Sequence, residues 1–576
     1  MVRLGWGLLL VVAAALPLLT ANTYYLHVAA SAALLTVVTA GLNVLVGLTG
    51  QISLGHAGFY AIGAYVPALL TTRAGWSAWP AAAAGILLAA LVGAGVAGAA
   101  LRVTGPYLAM VTIAFGLIVE GVLVEWVSVT GGPGGVFNIP KPGLAQHYWI
   151  ILAAAGLALW LTANLRRSAW GRAFLAVRGS DVAAESLGLS AYALRIAAFT
   201  LSAAFAGLGG GLFTFLNGYV SPDSFTLQTS ILFLLALLFG GEGRVAGPAV
   251  GSLVLTLLPE LLTGLADYRL ILYGALLLVS IYWLPGGVVG ALRRGAPPPA
   301  AGAAKAGAAA VPAARPPGSG AAGEPLLAVQ DLTIAFGGVA ALQDVRLAVP
   351  AAGITAVIGP NGAGKTTFLN VLSGYYRPDR GRVRLDGRDI TGRPPHAIAR
   401  LGVARTFQTA QLFGGLTAWE NVAIGLRGPR LGGLPPALLA TPGARRREEA
   451  LAQESRSRLA AAGLGEWADR PAEALPAGLR RRLEIVRALA TRPRLLLLDE
   501  PAAGLAPAEI DALDRELDAL RKGGGPAILL VEHHMDLVMS VSDRVAVLDY
   551  GRVIASGAPA EVRQDRAVIE AYLGAA

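Results

Sequence analysis

The string GPNGAGKT at residues 359–366 has the composition and spacing of a loop built to hold phosphate. Gly359, Gly362 and Gly364, with Asn361 between them, let backbone N–H groups wrap an anion. The apolar helical pattern that follows adds the positive end of a helix dipole. Lys365 is then expected to reach the β and γ phosphates of a nucleotide, and Thr366, with Thr367 beside it, to place a hydroxyl on Mg²⁺. A second chemical group ends the run Leu495–Leu498, whose leucines predict a buried parallel strand. Asp499 at its end is placed to hold the Mg²⁺ shell, and Glu500 to polarise an attacking water as general base. The implied cofactors are ATP and Mg²⁺.

The elements that must position these groups are legible around them. Ile354–Ile358 is a β-type run entering the glycine loop, so 326–576 reads as a soluble α/β domain. Beyond the loop and the carboxylate pair, the domain contains LTIAFGGVAAL, ARTFQTAQLFGGLTAWENV and VEHHMDLVM, in that order. With these stretches, 326–576 resembles an ABC transporter ATPase, and specifically the ATPase subunit of branched-chain amino acid importers. The resemblance implies that Phe336 stacks on adenine. It implies that Gln408 touches Mg²⁺ and senses the permease, and that His533 contacts the γ phosphate, His534 being a bystander. Ala502–Leu505 takes the position of the D-loop. One element departs from the family pattern. Where an LSGGQ-like signature is expected, the chain has Leu475, Pro476, Ala477, Gly478 and Leu479. Pro476 replaces the serine and Leu479 the glutamine, so Pro476, Ala477 and Gly478 would face a partner's ATP.

The first half of the chain is of another kind. Hydrophobic residues make up 55% of the 576 residues and charged residues 14%, with mean hydropathy +0.59. A soluble protein carries about 25% charge, so much of the chain is expected in lipid. Apolar stretches at 4–20, 24–50, 54–72, 79–101, 107–129, 147–165, 192–217, 226–240, 245–264 and 268–290 predict eight to ten spans, because the glycines near Gly50 can break or re-enter a helix. The first has Arg3 ahead of it like a signal peptide, but no A-x-A site follows, so an uncleaved anchor is expected. The domains are then a transmembrane permease domain at 1–294, a disordered Ala/Pro/Gly linker at 295–325, and an ABC ATPase domain at 326–576. The linker has no large side chains to bury.

Arginines set the orientation. Arg166, Arg167, Arg172, Arg178 and Arg195 crowd one loop and Arg293 and Arg294 follow the last span, so both sites, and the ATPase, are expected in the cytoplasm. The net charge of +10 is read as these arginines and the ATPase surface, not as nucleic-acid binding. With no cysteine, disulfides and thiolate chemistry are excluded.

GLNVLVGLTGQISLGHAGFYAIGAY, RVTGPYLAMVTIAFG, TGGPGG, WGRAFLAVRGSDVAAESLGL, GYVSP and LFGGEGRVAGP follow one another through residues 41–248. Taken in order, they resemble the permease subunit of the same importer family. Gln51, Ser53 and His56 put polar groups in an apolar region, where they either line a path or bond another helix. The basic loop 171–188 carries Asp181 and Glu185 at helical spacing. It looks like the coupling helix that importer permeases insert beside the ATPase Q-loop. The resemblance implies a permease–ATPase fusion in the bacterial inner membrane, importing branched-chain amino acids or a related small polar substrate. Urea, short amides or aromatic acids are alternatives within that class. A homodimeric exporter is a rival, disfavoured by short spans, and a non-hydrolysing regulator is disfavoured by Glu500. The implied partners are a second permease subunit, a second ABC ATPase subunit, an extracytoplasmic substrate-binding protein and membrane lipid.

Overall fold

The computed structural model describes residues 15–20, 22–101, 105–141, 143–261, 268–292 and 325–573. Most of the first predicted span, the stretch 295–324, and Arg3, Arg293 and Arg294 lie outside them. The described chain forms two compact units. One runs to Phe174 and resumes at Tyr192, its described part ending at Leu292; the other joins Leu175–Ala191 to the described residues from 325 onward.

The first unit is helical. Five described helices are long and apolar enough to cross a membrane: Thr23–Leu48, Ala78–Ala100, Tyr107–Glu125, Leu144–Arg167 and Ala191–Asn217. The first changes to π-helical geometry over Asn43–Leu48, and the chain then leaves helical geometry from Gly50 to Gly55 before the helix His56–Arg73. The stretches expected as spans at 226–240, 245–264 and 268–290 give described helices Leu227–Gly240, Gly247–Leu261 and Arg269–Trp283, of 14, 15 and 15 residues. Small residues bring these helices together. A Cβ at Gly63 would meet the Gly207 backbone, and one at Gly210 the carbonyl of Tyr60, so His56–Arg73 and Ala191–Asn217 touch backbone to backbone. In Ala78–Ala100 the buried residues are Ala81, Gly85, Ala89, Gly93, Ala97 and Ala100, a stripe of small side chains at nearly fourfold spacing; Leu87, Leu88 and Leu91 face outward.

The second unit is built on two sheets. Strands β1 (Leu327–Phe336), β2 (Val339–Val349), β4 (Arg380–Leu385) and β5 (Arg388–Asp389) make an antiparallel sheet in the order β2-β1-β4-β5. Strands β3 (Ile354–Ile358), β6 (Val403–Arg405), β7 (Leu495–Asp499), β8 (Ala527–Val531), β9 (Arg544–Asp549) and β10 (Arg552–Gly557) form the other, in the order β10-β9-β3-β8-β7-β6. From β9 to β6 its neighbours are parallel. Strands β3, β7 and β8 are buried along their whole length, in keeping with their mostly aliphatic sequences. A separate helical core, around Val422, Leu459, Trp467, Leu483 and Val486, carries the helices Ala418–Arg427, Pro442–Ala461 and Ala477–Ala490.

Candidate functional site

Strand order assembles the site. The carboxyl ends of adjacent parallel strands β3, β8, β7 and β6 lead respectively into the glycine loop, His533, Asp499–Glu500 and Gln408. Residues more than a hundred positions apart in sequence therefore meet at one edge, the usual place for ligands on open α/β sheets.

The loop has the backbone its glycines allow. Gly359, Gly362 and Gly364 have φ of 152°, 85° and 99°, in the region where side chains are strained. The helix Lys365–Leu372 starts at once, capped by Gly364. Lys365 is buried, and its Nζ donates to the carbonyls of Gly359 and Pro360 at 2.7 and 2.9 Å. Burial lowers its pKa, and the carboxylates of Glu500 and Asp499 pull the other way. Asn361 and Thr366 are exposed and Thr367 half-buried. Phe336, 45% exposed, sits at the end of β1, edge-on to Tyr376 at 5.1 Å.

Glu500 is the meeting point. Its φ is 44°, a left-handed conformation costly for this residue type. Gln408 Nε2 donates to Glu500 Oε2 at 2.8 Å, and His533 Nδ1 lies 3.7 Å from the same oxygen. Asp499 is buried, with Oδ2 3.0 Å from Arg405 Nη2. Its other oxygen, Oδ1, is buried with no hydrogen-bond partner among the described residues. Burial raises the Asp499 pKa against the lowering pull of Arg405. A divalent cation fits this set: an orphaned carboxylate oxygen, the exposed Thr366 hydroxyl and the Gln408 amide are hard oxygen donors. Pro476 is the N-cap of Ala477–Ala490, with φ −54° and ψ 157°, and leaves that helix start without a side-chain cap. Gly478 faces the carboxylate of Glu509, which a Cβ there would strike.

Four buried charged residues that motif reading did not single out hold the site in shape. Glu484 accepts from the N–H groups of Phe407 and Gln411 at 3.3 and 3.1 Å, bracketing Gln408. Arg481 pairs with Glu484 at 2.8 Å, and donates to the carbonyls of Asp499, Glu500 and Pro501 and to that of Phe407. Glu532 accepts from the N–H groups of Ala502, His533 and His534, fixing the D-loop start against the histidine. Arg405 is the fourth. The available signal was a charge on an otherwise apolar element, as in the arginine of GVARTF.

Leu175–Ala191 contains the helix Asp181–Ser186, capped by Ser180. It packs beside the helix Pro395–Arg400, and Arg400 Nε donates to the Gly188 carbonyl at 3.0 Å. Asp181 and Glu185 are half-buried. In the membrane unit, Gln51, Ser53 and His56 are buried. His56 joins Ser53 Oγ at 2.8 Å and Ser202 Oγ at 2.7 Å.

Known proteins resemble both halves. The family described as "Branched-chain amino acid transport system / permease component" matches residues 24–281, "ABC transporter" matches 342–503, and "Branched-chain amino acid ATP-binding cassette transporter" matches 552–576. The high-affinity branched-chain amino acid transport ATP-binding protein BraF of Pseudomonas aeruginosa is 45% identical over 252 residues, 44% of this chain and 99% of its own length. This chain belongs to the branched-chain amino acid ABC transporter family. LivG of Escherichia coli K12, named as an ATP-binding protein of the same kind, is 44% identical over 253 residues, 44% of this chain and 99% of its own. LivM of E. coli K12, named as a high-affinity branched-chain amino acid transport system permease protein, is 36% identical over 280 residues, 43% of this chain and 66% of its own. The chain thus joins in one polypeptide a permease and an ABC ATPase that its relatives hold as separate proteins.

Proposed function

We propose that this chain drives the import of branched-chain amino acids, as a permease and one of two ATPases in a larger membrane complex. The observation that carries the reading is Glu500. It stands directly after the Asp499 carboxylate, hydrogen-bonded to Gln408 and near His533, on a chain whose first half matches the permease family. Lys365 and the loop amides bind the nucleotide phosphates, and Phe336 stacks on the base. Thr366, Gln408 and Asp499 hold Mg²⁺, which when bound neutralises phosphate charge. Glu500 then takes a proton from the attacking water, and His533 orients the γ phosphate. The ATPase half lies in the cytoplasm by the bias of the arginines. Pro476, Ala477 and Gly478 face the ATP of a second ABC subunit. A second permease and an extracytoplasmic binding protein complete the complex, the latter supplying ligand selectivity. The test is uptake of radiolabelled leucine by proteoliposomes carrying the assembled complex. ATP-dependent accumulation supports the reading, and accumulation of urea or an amide in place of leucine overturns its substrate.

A further inference from the structure

Tyr375 stands just after the phosphate-loop helix and touches three parts of the second unit. Its hydroxyl donates to the backbone carbonyl of Val182 at 2.6 Å, in the segment Leu175–Ala191. Its ring meets Phe407, the residue before Gln408, edge-on at 6.3 Å. The guanidinium of Arg405 lies 5.8 Å from the Tyr375 ring centroid and 5.1 Å from that of Phe407. That guanidinium is fixed by Asn370 Oδ1 and Ser373 Oγ, both at 2.7 Å, and by Asp499 Oδ2 at 3.0 Å. Arg405 and Asp499 are both almost fully buried, so neither can turn to solvent for compensation. An unbroken line of contacts thus runs from the Val182 carbonyl through Tyr375 and Arg405 to the carboxylate whose other oxygen is unpartnered.

We infer that Tyr375 and Arg405 are positioning residues that tie the placement of the 175–191 segment to the grip of Asp499 on the nucleotide's divalent cation. The line is separate from Gln408, which reaches Glu500 instead. It rests on the ATP-driven import proposed above, because only a permease segment that moves during transport has a signal to send. When Val182 shifts, the Tyr375 hydroxyl follows or loses its acceptor. The ring moves against the Arg405 face, and the Asp499 oxygen moves with the guanidinium. Cation binding becomes tight only when the segment is seated.

The test uses the full chain in lipid nanodiscs and a fluorescent ATP analogue titrated with Mg²⁺. Tyr375→Phe keeps the ring and removes the one hydroxyl. It is expected to raise the Mg²⁺ concentration for half-maximal binding about fivefold, the worth of one hydrogen bond. Binding in EDTA should not change. Arg405→Lys keeps the charge but loses the planar fork and the stacking face, and is expected to raise the midpoint about tenfold. The double variant should show little beyond Arg405→Lys alone, since both act on one line. An unchanged Mg²⁺ midpoint in Tyr375→Phe overturns the inference, as does a double variant whose shifts simply multiply. Arg400→Gln, which loosens the Gly188 contact without touching Arg405, serves as control and should shift the midpoint less than Tyr375→Phe. None of these readings needs leucine, so failure of the wild-type complex to accumulate leucine would count against the import reading alone.

Discussion

Glu500 carries a residue-scale contradiction that only chemistry resolves. A glutamate at φ 44° is strained, and the neighbouring geometry keeps it there. Its N–H is bonded to Val531 at 2.8 Å and its carbonyl is held by Arg481 at 2.7 Å. Glu500→Gln preserves this backbone and the bond to Gln408 while removing the proton acceptor. Nucleotide affinity should stay within about twofold, and steady-state ATP turnover at the site it serves should fall about a hundredfold or more. Turnover of the assembled complex measured beside filter-binding of ATP checks this; retained turnover in a complex whose partner ATPase is disabled would remove Glu500 from the base role. The motif residues were readable because their spacing is forced by phosphate geometry. Arg405, Arg481, Glu484 and Glu532 were not, because, the local pair of Arg481 and Glu484 apart, their partners are backbone groups or lie far along the chain. Arg481 meets Phe407 from 74 positions away, and no local pattern announces that pairing.

At the scale of elements, legibility followed burial. Strands β3 and β7 are fully buried and read as apolar runs; the equally buried β8, AILLV, was not singled out. The membrane helices were harder to delimit. Glycine, alanine and leucine are apolar in lipid and in a packed core alike, so 268–290 reads as one span while the helix Arg269–Trp283 measures 15 residues; 226–240 was delimited to within one residue. The Gly50–Gly55 interruption was foreshadowed by its glycines, whereas the π turn of Asn43–Leu48 had no sequence signal. There Asn43 holds the loop at Gly243–Arg244, accepting from Gly243 N–H at 2.7 Å and donating to the Arg244 carbonyl at 3.0 Å. The helix Asp181–Ser186 was legible from charge spacing, whereas the Val182 and Gly188 carbonyls, which accept from Tyr375 and Arg400, had no such signal. The side chains of Asp181 and Glu185 are half-buried in the same segment. Replacing both by alanine should leave nucleotide binding unchanged and lower leucine moved per ATP hydrolysed about three- to tenfold, on the scale of one or two charge-assisted contacts. Parallel uptake and phosphate-release assays in proteoliposomes give that ratio, and a wild-type ratio would take these side chains out of coupling.

For the whole molecule, the helix start at Pro476 implies asymmetry. Each ATP in an ABC dimer lies between one subunit's phosphate loop and the other's signature. Pro476 offers neither hydroxyl nor N–H at the cap, and the Glu509 carboxylate stands against Gly478. Losing one preorganised donor to a transition-state oxyanion costs about 2.7–4 kcal/mol. The ATP site completed by this signature should turn over slowly, and the site on Lys365, Asp499 and Glu500 should carry most hydrolysis. Mutating Lys365 and the partner's phosphate-loop lysine separately should then give unequal losses, the larger from Lys365. Pro476→Ser should raise turnover in the Lys365 variant. Equal losses with no gain from serine would mean that Ala477, Gly478 and the helix dipole suffice. A homodimer would weaken both sites at once, so the asymmetry favours a distinct ATPase partner.

The segment Leu175–Ala191 belongs to the ATPase unit although membrane sequence precedes and follows it. Within that unit Tyr375 and Arg400 bond the carbonyls of Val182 and Gly188, while the chain also runs on through 295–325. The two attachments differ in kind: one is covalent and is lost only when the chain is cut, the other is a set of hydrogen bonds and is lost in a chaotrope. A site-specific cleavage sequence placed in the stretch 295–325 would separate them. After cleavage, the soluble half should still sediment with the membranes and leave them only in urea. Release in plain buffer would mean that the fusion itself, and not the grasped loop, keeps the motor at its gate.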